Sequence, residues 1–378
     1  MIEAFGFLQS QIPVVCLTSF IAAALAALCL SVIGSISTVG HDLHSGVQKF
    51  HSRPTSRLGS LAIVIGLGVA YLNARQIDVG LGLAAGGLLL ASVPAFVGGI
   101  VEDLTHKVGT NARLLLTLVS ASVCYFFMDI AVLRTDVPPV DWLLSLPAAE
   151  FLVTLLVVGG FTHSVNIIDG FHGLASGLVM VTLSALLAMA WVVNDGLIVK
   201  LCSLTLAATL GFFLANWPWG KIFLGDAGAY LLGFWTVELG LLLTSRHSDL
   251  SPMAPVVAGI MPLTETLFSM YRRKFVRHHP VNRPDRMHLH SLIYQRLLLN
   301  PRLDRTSQQV NAANCRVALY LWPPALVFAI LSCLFIYDTR MQLILMVGFF
   351  VMYHWLYRRL VKFKSPGWLI WRSRSSGR

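Results

Sequence analysis

The sequence predicts an all-α, polytopic membrane protein with about 11 transmembrane helices, its N-terminus outside and its C-terminus cytoplasmic. Three observations carry that expectation. Of 378 residues, 56% are hydrophobic and only 12% charged, against about a quarter charged in a soluble domain, so lipid must be part of the solvent. Apolar stretches near the ~20-residue length that crosses a bilayer recur from end to end. Lys and Arg fall between those stretches with a strong bias to one side.

In order, the expected spans are 12–35, 58–73, 79–101, 113–133, 146–165, 174–193, 198–217, 229–244, 253–271, 317–337 and 341–360. Before the first, Glu3 is the only charge, so the N-terminus lacks the basic segment of a cleaved signal and is expected outside. The second and eighth are the shortest. With eleven crossings, all but five of the 28 basic residues fall inside. The five outside are Arg75, Arg134, Lys200, Arg246 and Arg340. The net charge of +10 thus reports orientation rather than a nucleic-acid partner, since no soluble basic module carries it.

No internal repeat, low-complexity tract or long linker divides the chain. Residues 1–378 read as one integral-membrane domain with a loop at 272–314 and a basic tail at 361–378. In the tail, Trp368 and Trp371 lie between Lys362 and Lys364 on one side and Arg372 and Arg374 on the other, a pattern suited to the headgroup region or simply to a positive inner face. The six cysteines form no Cys-x-x-Cys pair and read as small buried hydrophobes.

Unusual polar residues gather on five inside loops. The first holds His41, Asp42, His44, Lys49, His51, Arg53 and Arg57 with Pro54 and Gly59. It could cradle an anion or merely supply inside charge. The second reads Glu102-Asp103-Leu104-Thr105-His106-Lys107. Adjacent acids ending an apolar span suit metal and phosphate work, or an i,i+4 charge pair at a helix end. The third carries Asn166 and Asp169, which would share a helical face and offer oxygen to a hard cation. The fourth, Gly225-Asp226-Ala227-Gly228, fits a helix cap or a metal ligand in a tight turn. The fifth holds His278, His279, Arg283, Arg286, His288 and His290. No further well-spaced ligand completes a zinc site there, and these donors suit a pyrophosphate or sugar better.

In this order, the five segments resemble the polyprenyl-phosphate N-acetylhexosamine-1-phosphate transferase family (glycosyltransferase family 4). The acidic pair corresponds to Glu102-Asp103, the family's Asn-x-x-Asp-Gly to Asn166 through Gly170, its Gly-Asp-x-Gly to Gly225 through Gly228, and its late His-x-His-His to His288 through Ser291. This chain departs at Glu102, where Asp is usual, at His172, often Asp, and at Ser291, the missing last histidine.

The resemblance implies an enzyme of the bacterial inner membrane that transfers a sugar-1-phosphate from a UDP-N-acetylhexosamine to undecaprenyl (polyprenyl) phosphate, releasing UMP. Such a step initiates a cell-envelope glycan of the O-antigen or exopolysaccharide type. It implies Mg2+, with Mn2+ as a substitute, held by Asn166 and Asp226. Catalytic roles go to Glu102, Asp103, Asp169 and Asp226, and substrate contacts to Lys49, Lys107, Arg286, His288 and His290. Membrane lipids are the other partner, and the pattern leaves room for a homodimer.

Within the family, a phospho-N-acetylmuramoyl-pentapeptide transferase is the alternative, set back by the incomplete histidine run. From other classes, a transporter or flippase would place its ionisable groups near the midplane, often in repeated halves. A CDP-alcohol transferase would crowd its aspartates into one short motif.

Overall fold

The computed structural model describes residues 2–36, 55–278, 285, 287–298, 306–364 and 367–369. Among them all regular structure is helical, in keeping with the all-α expectation. Lys49 and Arg286, both proposed substrate contacts, lie outside the described residues.

Among the described residues, ten helices are long and apolar enough to cross a membrane. They are α1 (Ile2–Ile36), α2 (Gly59–Ile77), α3 (Val79–Thr105), α4 (Thr110–Met128), α6 (Pro147–Ile168), α7 (Leu174–Val192), α8 (Gly196–Asn216), α9 (Gly225–Arg246), α13 (Ser307–Leu334) and α14 (Thr339–Val361). The short second and eighth spans are long enough to cross here, as α2 and α9.

The ninth expected span is not one helix but two, α10 (Ala254–Ala258) and α11 (Ile260–Tyr271). Proline explains the break. Pro255 and Pro262 each sit in the first turn of their helix, where a missing N–H costs no bond, and Gly259 lies between the two. The fourth span ends at Met128, short of its expected limit, and the chain runs to a small helix, α5 (Pro138–Leu144), that hydropathy does not show. Past α11 the winding loosens to a π turn at Arg272–Val276. A short α12 (Leu289–Ile293) follows, leading into a second π turn at Tyr294–Leu298. Helix α13 starts ahead of its apolar stretch because Thr306 and Gln309 form a capping box.

Helix α9 is the axis of the bundle, packed against α2, α3, α6 and α7. Its large side chains Tyr230, Phe234 and Trp235 are fully buried. The close approach of α3 requires Gly99, because a Cβ there would stand 2.3 Å from Ala227 Cα. That backbone contact sets the end of α3 beside the start of α9, and the two acidic motifs meet as a result.

Candidate active site

The site forms where four helix ends converge on one face of the bundle. Asp103, in the last turn of α3, is fully buried. Its Oδ1 accepts the backbone N–H of Asp226 and its Oδ2 that of Ala227, both at 3.0 Å. The first N–H groups of a helix have no partner within it, and the helix dipole favours an anion there. Asp103 is thus the cap of α9, supplied from another helix. The turn leaves room for nothing larger than glycine at position 225, where φ is +75° and a Cβ would lie 2.6 Å from Asp103 Oδ2.

Asp226, one residue inside α9, is engaged on both oxygens. Oδ1 accepts from Asn166 Nδ2 at 3.0 Å, and Oδ2 pairs with Arg113 of α4. Tyr230 donates its hydroxyl to Asn166 Oδ1 at 3.3 Å. The expected convergence of the Asn166 motif with the Asp226 motif is therefore present. Asp103 has a cation as well, Arg57 at 3.7 Å, which comes from the loop before α2.

Asp169 caps the end of α6, half-buried, with its charge felt by Asp226, Arg57 and Asp103. Burial, and then repulsion from Asp226, push its carboxyl up to about 8. A carboxyl raised on folding adds stability at low pH that is lost as pH climbs from the ordinary carboxylate range through that value. In cation-free detergent the wild-type melting temperature should therefore fall between about pH 4 and 8 more steeply than that of Asp169→Asn. Equal slopes would contradict the crowding of acids described here.

Glu102 accepts the Val108 N–H at 2.7 Å, which fixes the turn after α3, and its charge is felt by Arg113 and Tyr230 of the site. Lys107 is exposed, and the cation beside Asp103 is Arg57 rather than Lys107. The chain reverses at His106 (φ 55°), which turns Lys107 out of the helical register that an i,i+4 pair would need.

His172, where the family often has Asp, reaches a different helix. Its Nε2 meets Asn311 Oδ1 at 2.9 Å, its backbone N–H donates to Asn314 Oδ1 at 2.8 Å, and its ring stacks on Phe223. It fastens the Asp169 loop to α13. His288 and His290 are buried on the far side of that loop, with the ring of His290 5.6 Å from Phe171. Ser291 is buried on α12.

Arg57, which the sequence leaves between an anion cradle and inside charge, and Arg113, counted only as inside charge, are both site residues. Each acquires a partner through a fold contact that no motif announces. Among the described residues, no three His, Cys, Asp or Glu side chains converge on a metal position. Magnesium asks for less, since it keeps several waters and takes one or two carboxylates. Asp226, Asn166 and Asp169 offer oxygen alone in a place crowded with negative charge, which fits a hard divalent cation and no softer one.

Fold and site define a polytopic membrane protein with an acid–arginine cluster at one end of its bundle, suited to anionic ligands. The model of glycosyl transferase family 4 matches residues 85–244, the stretch from α3 to the end of α9 that carries all four acidic positions of the site. A probable undecaprenyl-phosphate N-acetylglucosaminyl 1-phosphate transferase of Bacillus subtilis is 30% identical over 250 residues, 64% of this chain and 66% of that protein. A decaprenyl-phosphate N-acetylglucosaminephosphotransferase of Mycolicibacterium smegmatis is 29% identical over 331 residues, 76% of this chain and 74% of its own length. An undecaprenyl-phosphate alpha-N-acetylglucosaminyl 1-phosphate transferase of Yersinia pestis is 27% identical over 257 residues, 65% of this chain and 67% of the relative. The chain belongs to glycosyl transferase family 4.

Proposed function

We propose that the protein transfers N-acetylhexosamine-1-phosphate, by default N-acetylglucosamine-1-phosphate, from a UDP-sugar to undecaprenyl phosphate at the cytoplasmic face of a bacterial inner membrane. The observation that carries this reading is the meeting of Asp226, Asn166 and Asp169 with Arg57 and Arg113 at one end of the bundle. It supports a reaction between two phosphates, because anions must be brought together against their repulsion. The names of the relatives agree with it. The product would be the first lipid-linked intermediate of a cell-envelope glycan.

Asp226 and Asn166 would hold Mg2+, which when bound neutralises charge on the donor pyrophosphate and polarises it. Asp169, whose charge interacts with Asp226, Arg57 and Asp103, takes the proton of the acceptor phosphate. The freed acceptor oxygen attacks the donor β-phosphorus in line. The bond from β-phosphorus to the oxygen bridging the α-phosphate breaks, and UMP departs with that oxygen. Asp103 orients Asp226 through the α9 backbone, and Glu102 holds the neighbouring turn. Arg57 and Arg113 have the reach and charge to receive phosphate oxygens once the substrates displace their carboxylate partners. Lys107, at the rim, adds a cation to the approach.

Membranes containing the protein, given radiolabelled UDP-N-acetylglucosamine and undecaprenyl phosphate, should move label into the lipid extract with release of UMP. Chelation should stop turnover and added magnesium restore it. Label that stays in water with every UDP-N-acetylhexosamine, or turnover undiminished by chelator, would overturn the reading.

A further inference from the structure

The mechanism leaves three buried acids without a task, Asp195, Glu238 and Glu265, and the last of them touches the late histidines. Glu265 is 1% exposed and lies on α11, the second half of the broken ninth span, which packs against α6. Its Oε1 accepts the Leu289 N–H at 2.9 Å and stands 3.0 Å from Nδ1 of His288. Its Oε2 faces Nδ1 of His290 at 3.7 Å. Those last two atoms are buried and make no hydrogen bond of ordinary geometry, and the buried hydroxyl of Tyr353, likewise without one, interacts with the same carboxylate. Two orphaned polar atoms facing each other, somewhat beyond the ~3.2 Å reach of a good bond, are stabilised by any ligand that draws them together.

The two imidazoles lie parallel, 5.1 Å between centroids and 5° between planes, so one carboxylate can serve both. With Nδ1 of each ring turned to Glu265, Nε2 of each points away from it. Nε2 of His290 stands 3.5 Å from where a Cβ on Gly170 would be, so it fronts the backbone just after Asp169. Burial holds His290 below the ordinary imidazole range despite the carboxylate beside it, so the neutral ring offers a lone pair at Nε2.

The surroundings keep the histidine segment in place. Arg272, two helical turns beyond Glu265, donates to Met287 O at 2.9 Å and to Tyr357 at 2.6 Å, and pairs with Asp285. The π turn begins at that arginine, and such turns recur at functional sites.

We infer that Glu265 is a positioning residue of the site, which fixes the Nδ1–H tautomer of His290 and aims its Nε2 at a hydroxyl or amide N–H of the donor sugar. The inference rests on the transfer reaction proposed above. It acts on donor binding, so its signature is a change in KM.

The full-length protein in membranes, assayed with UDP-N-acetylglucosamine, tests it. Glu265→Gln should raise KM for the UDP-sugar by about tenfold to a hundredfold, the range seen when a carboxylate that orients a histidine is removed, with kcat little changed. Glu265→Asp should recover part of the loss. In a His290→Ala background Glu265→Gln should change little further, because no ring remains to be aimed. The same factor lost in both backgrounds, or a kcat loss that tracks a lower melting temperature, would make Glu265 a structural acid and overturn the inference. If Glu265→Gln does not accumulate, Glu265→Asp compared in the two backgrounds decides by the same rule. A wild-type protein inactive in the parallel control would bring down the transfer reading itself, and this inference with it.

Discussion

Asp226→Asn should lower sugar-phosphate transfer by about a thousandfold or more while insertion and melting stay close to wild type, the scale expected when one group stabilising transition-state charge is lost. The fold is spared because the amide keeps an oxygen where Oδ1 now accepts from Asn166. It also leaves the backbone N–H of residue 226 on Asp103. What disappears is the charge on which a divalent cation would sit and against which Arg113 now rests. Arg113 keeps partial exposure and turns to solvent at modest cost, so the lesion is local. The measurement is label transferred per unit of inserted protein, with magnesium raised in steps. Activity within tenfold of wild type, at magnesium that saturates the wild type, would remove Asp226 from the metal-binding role.

The helices were largely legible because apolar length is a one-dimensional signal. Ten of the eleven expected spans correspond to long helices, and the exception is instructive. Hydropathy over 253–271 is that of a crossing, yet Pro255, Gly259 and Pro262 divide the segment, and Glu265 sits within it. The acids and Asn166 could be found because each motif is contiguous. Their partners could not. Arg57 meets Asp103 from 46 positions earlier in the chain, and Arg113 meets Asp226 across a contact separated by 113 residues. Such pairings depend on helix packing, above all on the backbone contact at Gly99, and a sequence pattern does not contain that information. His172 shows the converse. Judged against the family pattern it is an anomaly in the acidic motif, but its ring's bond to Asn311 and its backbone N–H's bond to Asn314 serve the docking of α13. The extension of α13 that supplies Asn311 was signalled only by the Thr306–Gln309 cap.

Asp103→Asn should fail differently, losing both transfer and stability. Both carboxylate oxygens are committed to backbone donors, at 3.0 Å each, in a place with no exposure to water. An asparagine can satisfy only one of them, and its NH2 group would face the other N–H at close range. An unsatisfied buried donor costs about 1–3 kcal/mol, and the lost charge at a helix N-terminus adds up to about 2 kcal/mol. The melting temperature in detergent should therefore fall, and the start of α9 should shift enough to misplace Asp226. A single-site chemical role for Asp103 predicts the opposite pattern, an inactive protein with wild-type melting. The double variant Asp103→Asn/Asp226→Asn separates the two accounts further. If Asp103 acts through Asp226, the double variant is no less active than Asp226→Asn alone, yet as unstable as Asp103→Asn alone. Independent chemical roles would instead multiply the activity losses and leave the melting temperature near that of the wild type.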